Sequence, residues 1–184
     1  MRTNQSQFAL MGLLSLGEMS GYDLKQLSEW SVGHFWREGY GQIYPSLKRL
    51  AAGGLVKKRT EHNTGRPDRI VYTLTAAGRR ELQAWLRVQA EPEVPRNELL
   101  LKVFFGGLAD AETNMKHIRR KLELCESTLK ELHATKTRIV REEGRHPQKP
   151  YWLMTLSYGE HMARARMAWC EETLRALKKI SKSR

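Results

Sequence analysis

The sequence predicts a mainly α-helical protein in which a winged helix-turn-helix domain precedes a C-terminal domain of one short and two long helices. Apolar residues recur at helical spacing over most of the 184 residues. Residues 55–74 change to the alternating spacing of a β-hairpin, which is typical of a wing. Two prolines and two acidic residues near residue 92 indicate a linker. The predicted domains are residues 1–88 and 97–184, joined by a linker at residues 89–96.

The first two helices are predicted from an apolar run and a capping signal. Residues 8–16 are almost wholly apolar, which indicates a helix covered on most sides and ended by Gly17. Ser20 followed by Asp23 has the spacing of a capping box, so a second helix is expected to begin at Gly21. Its predicted inner stripe, at intervals of three, is Leu24, Leu27 and Trp30.

A third helix, a hairpin and a fourth helix complete the predicted N-terminal domain. Residues 42–52 carry apolar side chains at helical spacing and are followed by a Gly-Gly pair that ends the helix. Residues 55–61 and 69–74 are β-prone runs joined by a turn-rich basic connection, as in the wing hairpin. Thr75 is expected to cap a fourth helix. The inner side of that helix is predicted to carry Leu82, Trp85 and Leu86.

The distribution of charge indicates a polyanionic partner. Lys and Arg total 32 against 20 Asp and Glu, a formal net charge of +12. Between residues 48 and 80, nine basic residues stand against two acidic ones. Such a surface attracts nucleic acid or an anionic membrane. Because the charge lies on one helix and on a hairpin tip, double-stranded DNA is the favoured partner, with the helix in the major groove and the tip in the minor groove.

The predicted DNA contacts lie on the outward face of the third helix and on the wing. Gly41 and Pro45 are compact and let the helix backbone approach base edges, while Lys48 reaches phosphate or guanine. Arg66 at the hairpin tip is placed to enter a minor groove. The predicted DNA-binding residues are Gly41, Gln42, Tyr44, Pro45, Lys48, Arg49, Lys57, Lys58, Gly65, Arg66 and Arg69, with Arg59 as a further phosphate contact. A solvated basic face with ordinary packing and turn roles is the alternative.

The C-terminal domain is predicted to consist of three helices. A short apolar helix over residues 97–105 precedes a long helix capped by Asp110. Between residues 115 and 139 the apolar side chains alternate at three and four, which is a heptad seam. A last long helix repeats this seam and is interrupted at Glu160. The residues expected to end the first long helix are Gly144, Pro147 and Pro150.

Two long helices and a short one predict a homodimer, because a small winged helix does not offer enough surface to cover their apolar seams, so some of this surface should face a second copy. A two-fold protein reads a palindromic site. The predicted dimer interface is Leu153, Leu156, Met167, Cys170, Leu174 and Leu177. A second stripe on the last helix is consistent with core packing or with a ligand cleft at the centre of the dimer. The ligand residues predicted from that stripe are Trp152, Met162 and Trp169.

Other classes of function are disfavoured by what the sequence lacks. The six histidines form no HExxH motif, and there is no GxSxG or P-loop motif, so no enzyme, metal site or cofactor is predicted. Cys125 and Cys170 stand far apart without a CxxC motif, which favours a reducing compartment. No run approaches the ~20 apolar residues of a membrane span, so a cytoplasmic protein without a membrane partner is predicted. RNA is disfavoured because the wing lacks interleaved stacking aromatics.

Four strings resemble one family of bacterial transcriptional regulators. Residues 41–50, GQIYPSLKRL, and 66–79, RPDRIVYTLTAAGR, are similar to the PadR family. Residues 99–105 and 150–159 resemble its long-tailed subgroup, which carries a virulence-activator type C-terminal domain. Departures at residues 51–53 and 70–71 affect the expected sequence preference. Relatives respond to phenolic acids or other small aromatic compounds, so the resemblance implies a small effector without naming its residues.

The predicted function is therefore a homodimeric DNA-binding regulator. We expect a repressor that binds a palindromic promoter site and is released by an effector, and a transcriptional activator of the same architecture is the alternative. The resemblance extends over nearly the whole chain, from about residue 5 to residue 178.

Overall fold

A computed structural model describes residues 5–36, 40–62, 68–92 and 95–182 of the chain, which divides into two units between Glu91 and Pro92. The elements are α1 (Gln5–Leu14), β1 (Met19–Ser20), α2 (Gly21–Ser31), α3 (Tyr40–Ala52), β2 (Val56–Glu61), β3 (Arg69–Leu74), α4 (Ala76–Trp85), α5 (Glu98–Phe104), a 3-10 turn (Gly106–Leu108), α6 (Ala111–Glu142) and α7 (Lys149–Lys182). This order confirms the predicted class, a winged helix-turn-helix followed by one short and two long helices.

Helix α1 lies at the centre of the core of the first unit. It packs against α2, α3 and α4, and the ring of Phe8 stacks on Trp85 of α4 with centroids 4.7 Å apart. The helix ends two residues earlier than predicted. The Ser15 hydroxyl donates to the Gly12 carbonyl at 2.6 Å, and the amides of Leu16 and Gly17 bond three residues back, which tightens the last turn. Leu16 is exposed as a result.

The predicted capping box of α2 is present. The amide of Asp23 donates to the Ser20 hydroxyl at 3.2 Å, and the amide of Ser20 donates to the Asp23 carboxylate at 2.8 Å. The predicted inner stripe is wrong at Trp30, which is 37% exposed, whereas Leu24 is fully buried. A spacing of three loses 60° at each step, so Trp30 lies about 120° from Leu24 around the helix. The buried face continues instead through Ser28, four residues after Leu24.

The three strands form one antiparallel sheet in the order β1-β3-β2. The hairpin is the predicted one, with Val56 opposite Leu74 and Glu61 opposite Arg69. Strand β1 was not predicted, because two residues are too short for a strand pattern. It places Ser20, the cap of α2, opposite Val71 of β3. The base of the wing is thereby hydrogen-bonded to the start of α2. Gly65 and Arg66 of the hairpin tip lie outside the described residues.

A tight corner connects α3, β2 and α4. Thr75 caps α4 as predicted: its hydroxyl accepts from the amide of Gly78 at 3.0 Å and lies 3.0 Å from the Leu55 carbonyl oxygen, to which it can donate. A Cβ at Gly78 would lie 2.1 Å from that carbonyl oxygen, so this close approach requires glycine. Leu86 is exposed and was wrongly placed on the inner side of the helix, because α4 ends at Trp85.

In the second unit α6 and α7 pack along each other through the predicted seams. The buried seam residues are Met115, Ile118, Cys125, Leu132, Ile139, Leu156, Ala163 and Cys170. Glu160, which interrupts the seam of α7, pairs with Lys136 of α6 at 3.2 Å, so the two polar positions meet. Pro150 was expected to end α6 but is the second residue of α7. Proline is tolerated there because the first helical amides need no partner within the helix.

Candidate nucleic-acid interface

Helix α3 separates a buried face from an exposed one. Ile43, Leu47 and Leu50 join the core of the first unit, and Ser46 beside them is also buried. The predicted DNA-binding residues on this helix all lie on its exposed side: Gly41, Gln42, Tyr44, Pro45, Lys48 and Arg49. The core therefore fixes the helix by one side and presents the predicted set on the other, which is the arrangement that insertion into a groove requires.

Two residues make the first turns of this exposed side compact. A Cβ added at Gly41 would meet open space among the described residues, so its glycine is not required by packing within the chain. Pro45 lies inside α3 and has no N–H to donate to the carbonyl of Gly41, four residues earlier. That carbonyl is therefore left without its usual amide partner within the helix. A small side chain and an available acceptor favour close approach of another molecule.

Tyr44 has a packing role as well as an exposed edge. A Cβ on Gly21 would lie 2.6 Å from the Cε1 atom of Tyr44, so the tyrosine ring rests directly on the first turn of α2. Burial raises the pKa of Tyr72 on β3, and the nearby phenol of Tyr44 adds to this effect. Tyr44 nevertheless remains exposed. The packing alternative thus holds for one side of this ring, while the other side faces outward.

The basic residues of α3 differ in what surrounds them. Lys48 is exposed one turn after Tyr44. Arg49 is also exposed, but one of its guanidinium nitrogens donates to the hydroxyl of buried Ser46 at 3.0 Å. This bond draws the guanidinium toward its own helix and leaves its other donors available.

At the wing, two arginines that were predicted to contact phosphate form ion pairs with carboxylates of the chain. Arg59 donates to Glu18 at 3.0 Å and to Glu61 at 2.8 Å, and these hydrogen bonds hold the pKa of the guanidinium above its usual range. Arg69 donates to Asp23. Sequence reasoning missed both pairs because Glu18 and Asp23 lie 41 and 46 residues away along the chain. The two remaining predicted basic residues on the described part of the wing are Lys57 and Lys58, both exposed.

The residues predicted for the dimer interface divide into two groups. Leu156 and Cys170 are 2% and 0% exposed within a single chain, so the seam between α6 and α7 already covers them. They are therefore not available to a second copy, and this part of the prediction is corrected. The second group is half-buried and consists of Leu153, Met167, Leu174 and Leu177.

The predicted ligand residues lie on α7. Trp152 packs against the core near the turn between α6 and α7 and stacks on His146, whereas Met162 and Trp169 are half-buried.

One exposed apolar surface of the second unit was predicted from the sequence only in general terms, as part of the three-helix surface that should face a second copy. It surrounds α5, where Phe104 is 81% and Leu108 is 91% exposed, together with Leu100, Leu101 and Phe105. A second exposed set lies on the first turns of α7 and consists of Tyr151, Met154 and Tyr158. The signal was present in the sequence, because a short helix that is apolar on most sides is expected to be covered by something.

Two chemical features of the described residues bear on other classes of function. In the described ranges, no group of three or more His, Cys, Asp or Glu side chains is arranged to hold a metal ion. The thiols of Cys125 and Cys170 are free and buried, and burial raises the pKa of Cys170, which lowers its thiolate fraction and hence its reactivity.

Among the described helices, none combines the length and the apolar character that crossing a bilayer requires.

Comparison with known proteins places both units in known families. The model of the PadR-like family of transcriptional regulators matches residues 10–84, and the model of the virulence activator alpha C-terminal domain matches residues 95–178. The negative transcriptional regulator PadR of Bacillus subtilis is 32% identical over 135 residues, which is 73% of this chain and 74% of that protein.

Solved structures agree with these matches. Bacillus subtilis PadR in complex with operator DNA has a TM-score of 0.80 at 28% identity, over 95% of this chain and 99% of that one. The same protein in complex with p-coumaric acid has a TM-score of 0.72 at 28% identity, over 94% and 98%. The Vibrio cholerae virulence activator AphA shares the fold, with a TM-score of 0.72 at 20% identity over 95% and 98%.

Proposed function

The chain belongs to the PadR-like family of transcriptional regulators, and we propose that it is a sequence-specific repressor that binds a palindromic promoter site as a homodimer. The observation that carries this proposal is the exposed side of α3, which is compact at Gly41 and Pro45 and basic at Lys48 and Arg49. Repression is favoured because the relative from Bacillus subtilis is a negative regulator. The proposed place of action is the cytoplasm, where bacterial promoter DNA lies.

Helix α3 is the proposed reading element. A helix fits the B-DNA major groove, which is about 12 Å wide. In this arrangement Gly41 and Pro45 let the helix backbone approach base edges and thymine methyl groups, while Gln42 and the outward edge of Tyr44 form hydrogen bonds. Lys48 then reaches phosphate or guanine, and Arg49 has donors left after its bond to Ser46.

The wing is the proposed second contact. Lys57 and Lys58 are exposed on β2 and add phosphate contacts that weaken as salt rises. For Gly65 and Arg66 the proposal rests on sequence alone: a basic residue at a hairpin tip suits the negative potential of a narrow minor groove. Arg59 and Arg69 are left out of the proposed phosphate contacts because they already bind carboxylates within the chain.

The proposed homodimer is formed by the second unit through its two exposed apolar surfaces. The α5 surface lies beside the start of α6, since Asn114 of α6 donates to the Gly106 carbonyl at 2.9 Å. The surface on the first turns of α7 lies at the other end of α6, roughly 40 Å away at 1.5 Å per residue. A two-fold axis between antiparallel copies brings each α5 surface to the α7 surface of the partner, so one contact occurs twice.

The proposed function is tested by selection from a random duplex library with the full chain, followed by footprinting of the selected sequence. We expect enrichment of an inverted repeat whose half-sites lie about one or two helical turns apart. A protected region on both half-sites would support the two-fold arrangement. A pool without any enriched sequence would contradict sequence-specific DNA binding.

A phenolic acid is the proposed effector, because the relative from Bacillus subtilis has been solved with p-coumaric acid. We expect p-coumaric acid to release the selected duplex and to quench the fluorescence of Trp169, one of the candidate ligand residues. Replacement of Trp169 by leucine should weaken the release, whereas replacement of Trp30 in the first unit serves as the fluorescence control. A DNA-binding midpoint that stays unchanged at millimolar p-coumaric acid would contradict this choice of effector.

Transcription in vitro from the selected site decides between repression and the alternative, activation.

A further inference from the structure

The first turn of α2, residues 20–23, is where α3 and the wing of the first unit meet. We call it the α2 turn. One carboxylate oxygen of Asp23 accepts from the amide of Ser20 at 2.8 Å and from its hydroxyl at 2.9 Å. The same oxygen accepts from the guanidinium of Arg69 at the start of β3. The capping carboxylate of a helix is thus also the anchor of the wing.

The recognition helix rests on the same turn. Gly21 has no Cβ, and the ring of Tyr44 from α3 occupies the space that a Cβ would need. On the other side of the turn, Ser20 pairs with Val71 of β3. Both elements proposed to contact DNA are therefore positioned against one turn of backbone, and the distance between them depends on contacts that this turn makes.

The charge of Asp23 is maintained by this arrangement. Partial burial acts to raise the pKa of Asp23, but hydrogen bonds from Ser20 and the charge and hydrogen bond of Arg69 outweigh it, so the pKa lies below its usual range. A carboxylate that remains ionised at neutral pH keeps its arginine partner. The neighbouring pair of Arg59 with Glu18 adds a second link between the wing and the segment just before β1.

We propose that Arg69 is a positioning residue of the DNA interface, which holds the wing to the α2 turn through Asp23 and does not bind phosphate. This inference rests on the proposed function. One guanidinium nitrogen of Arg69 is committed to the Asp23 carboxylate, and the negative charge of that carboxylate offsets the positive charge that would attract a phosphate. When Arg69 is held by Asp23, the wing and α3 keep a constant separation. Less conformational entropy is then lost when both elements enter their grooves.

The two roles predict opposite effects of removing the charge of Asp23. If Arg69 positions the wing, Asp23→Asn loosens the wing and weakens binding. If Arg69 were a phosphate ligand, Asp23→Asn would release it and remove a negative charge near the DNA, so binding would tighten. The asparagine amide oxygen can still accept from the amide of Ser20, which preserves the cap.

The experiment measures operator affinity against salt concentration for four variants, on the duplex selected by the unchanged chain. Arg69→Gln and Asp23→Asn are each expected to weaken binding about 5-fold, which corresponds to the upper end of the range for an exposed ion pair. The slope of log K against log salt should not change, because no phosphate contact is lost. The double variant, with both Arg69→Gln and Asp23→Asn, should have an operator affinity no lower than that of the weaker-binding single variant. Arg69→Lys should retain most of the affinity of the unchanged chain.

Lys48→Gln is the matched control, because it removes one positive charge from the proposed contact face of each copy and should lower the salt slope by about 2 for the dimer. A similar fall in slope for Arg69→Gln, or tighter binding by Asp23→Asn, would overturn the inference. Binding is measured at a temperature at which circular dichroism shows every variant folded. If Arg69→Gln does not fold, the sign of the Asp23→Asn effect and the rescue by Arg69→Lys decide. Failure of the unchanged chain to select any duplex would instead overturn the proposed function, and this inference with it.

Discussion

Simultaneous replacement of Lys48 and Arg66 by alanine is expected to weaken binding to the selected duplex by at least about 10-fold at fixed salt, on the usual scale for one good contact in each groove. Lys48 is exposed on the outward side of α3, and Arg66 belongs to the hairpin tip. Because the two residues serve different grooves, their effects should be nearly additive. Gel-shift midpoints and the salt dependence of binding give the measurement, and the slope should fall by about 4, since each copy of the dimer loses two contacts.

Net charge alone would give a different result, and a matched double variant separates the two explanations. Lys130 and Lys178 are exposed on α6 and α7 of the second unit and do not belong to the proposed contact residues. Their replacement by alanine removes the same amount of charge from the chain. We expect this control to keep the affinity within about 2-fold, because neither lysine is a proposed DNA contact and no phosphate contact is lost. Equal losses in both double variants would argue against docking through α3 and the wing.

The parts of the fold that could be predicted from the sequence are those that local chemistry determines. Ser20 and Asp23 are three residues apart, and so is the pair of Asp110 and Thr113, whose cap was also predicted. Each cap satisfies helix amides within one turn, so no knowledge of the rest of the chain is needed. The heptad seams of α6 and α7 could be predicted for the same reason, because a period of 3.5 in the sequence determines which side chains share one face of a helix.

The remaining features depend on residues that are distant in the sequence. The carboxylate partner of Arg69 lies 46 residues earlier, and nothing near Arg69 indicates that its charge is engaged. Composition counts the charge of Arg69 but does not show the carboxylate that offsets it. The same limit applies to Leu156 and Cys170, because a heptad seam does not say whether its partner is a helix of the same chain or of another copy. Only packing shows that α6 covers them.

The exposed surface of α5 leads to the second large effect, which concerns assembly. Replacement of Leu101 and Phe104 together by aspartate is expected to convert a dimer to monomers in analytical ultracentrifugation. Both side chains are exposed in the single chain, so acidic replacements do not disturb a core, yet they place charge at the centre of the proposed interface. Leu174 and Leu177 are less suitable positions, because they are half-buried and aspartate there would also destabilise the unit itself.

The matched control replaces Leu86 and Val88 by aspartate, since these apolar residues are also exposed but lie outside the proposed interface. This variant should remain dimeric. The monomeric variant should lose the preference for two correctly spaced half-sites while keeping weak affinity for one, because the reading helix is unchanged and only the second, linked contact is lost. A dimer that survives both α5 replacements would remove α5 from the interface and direct attention to the half-buried residues of α7, starting with Leu174 and Leu177.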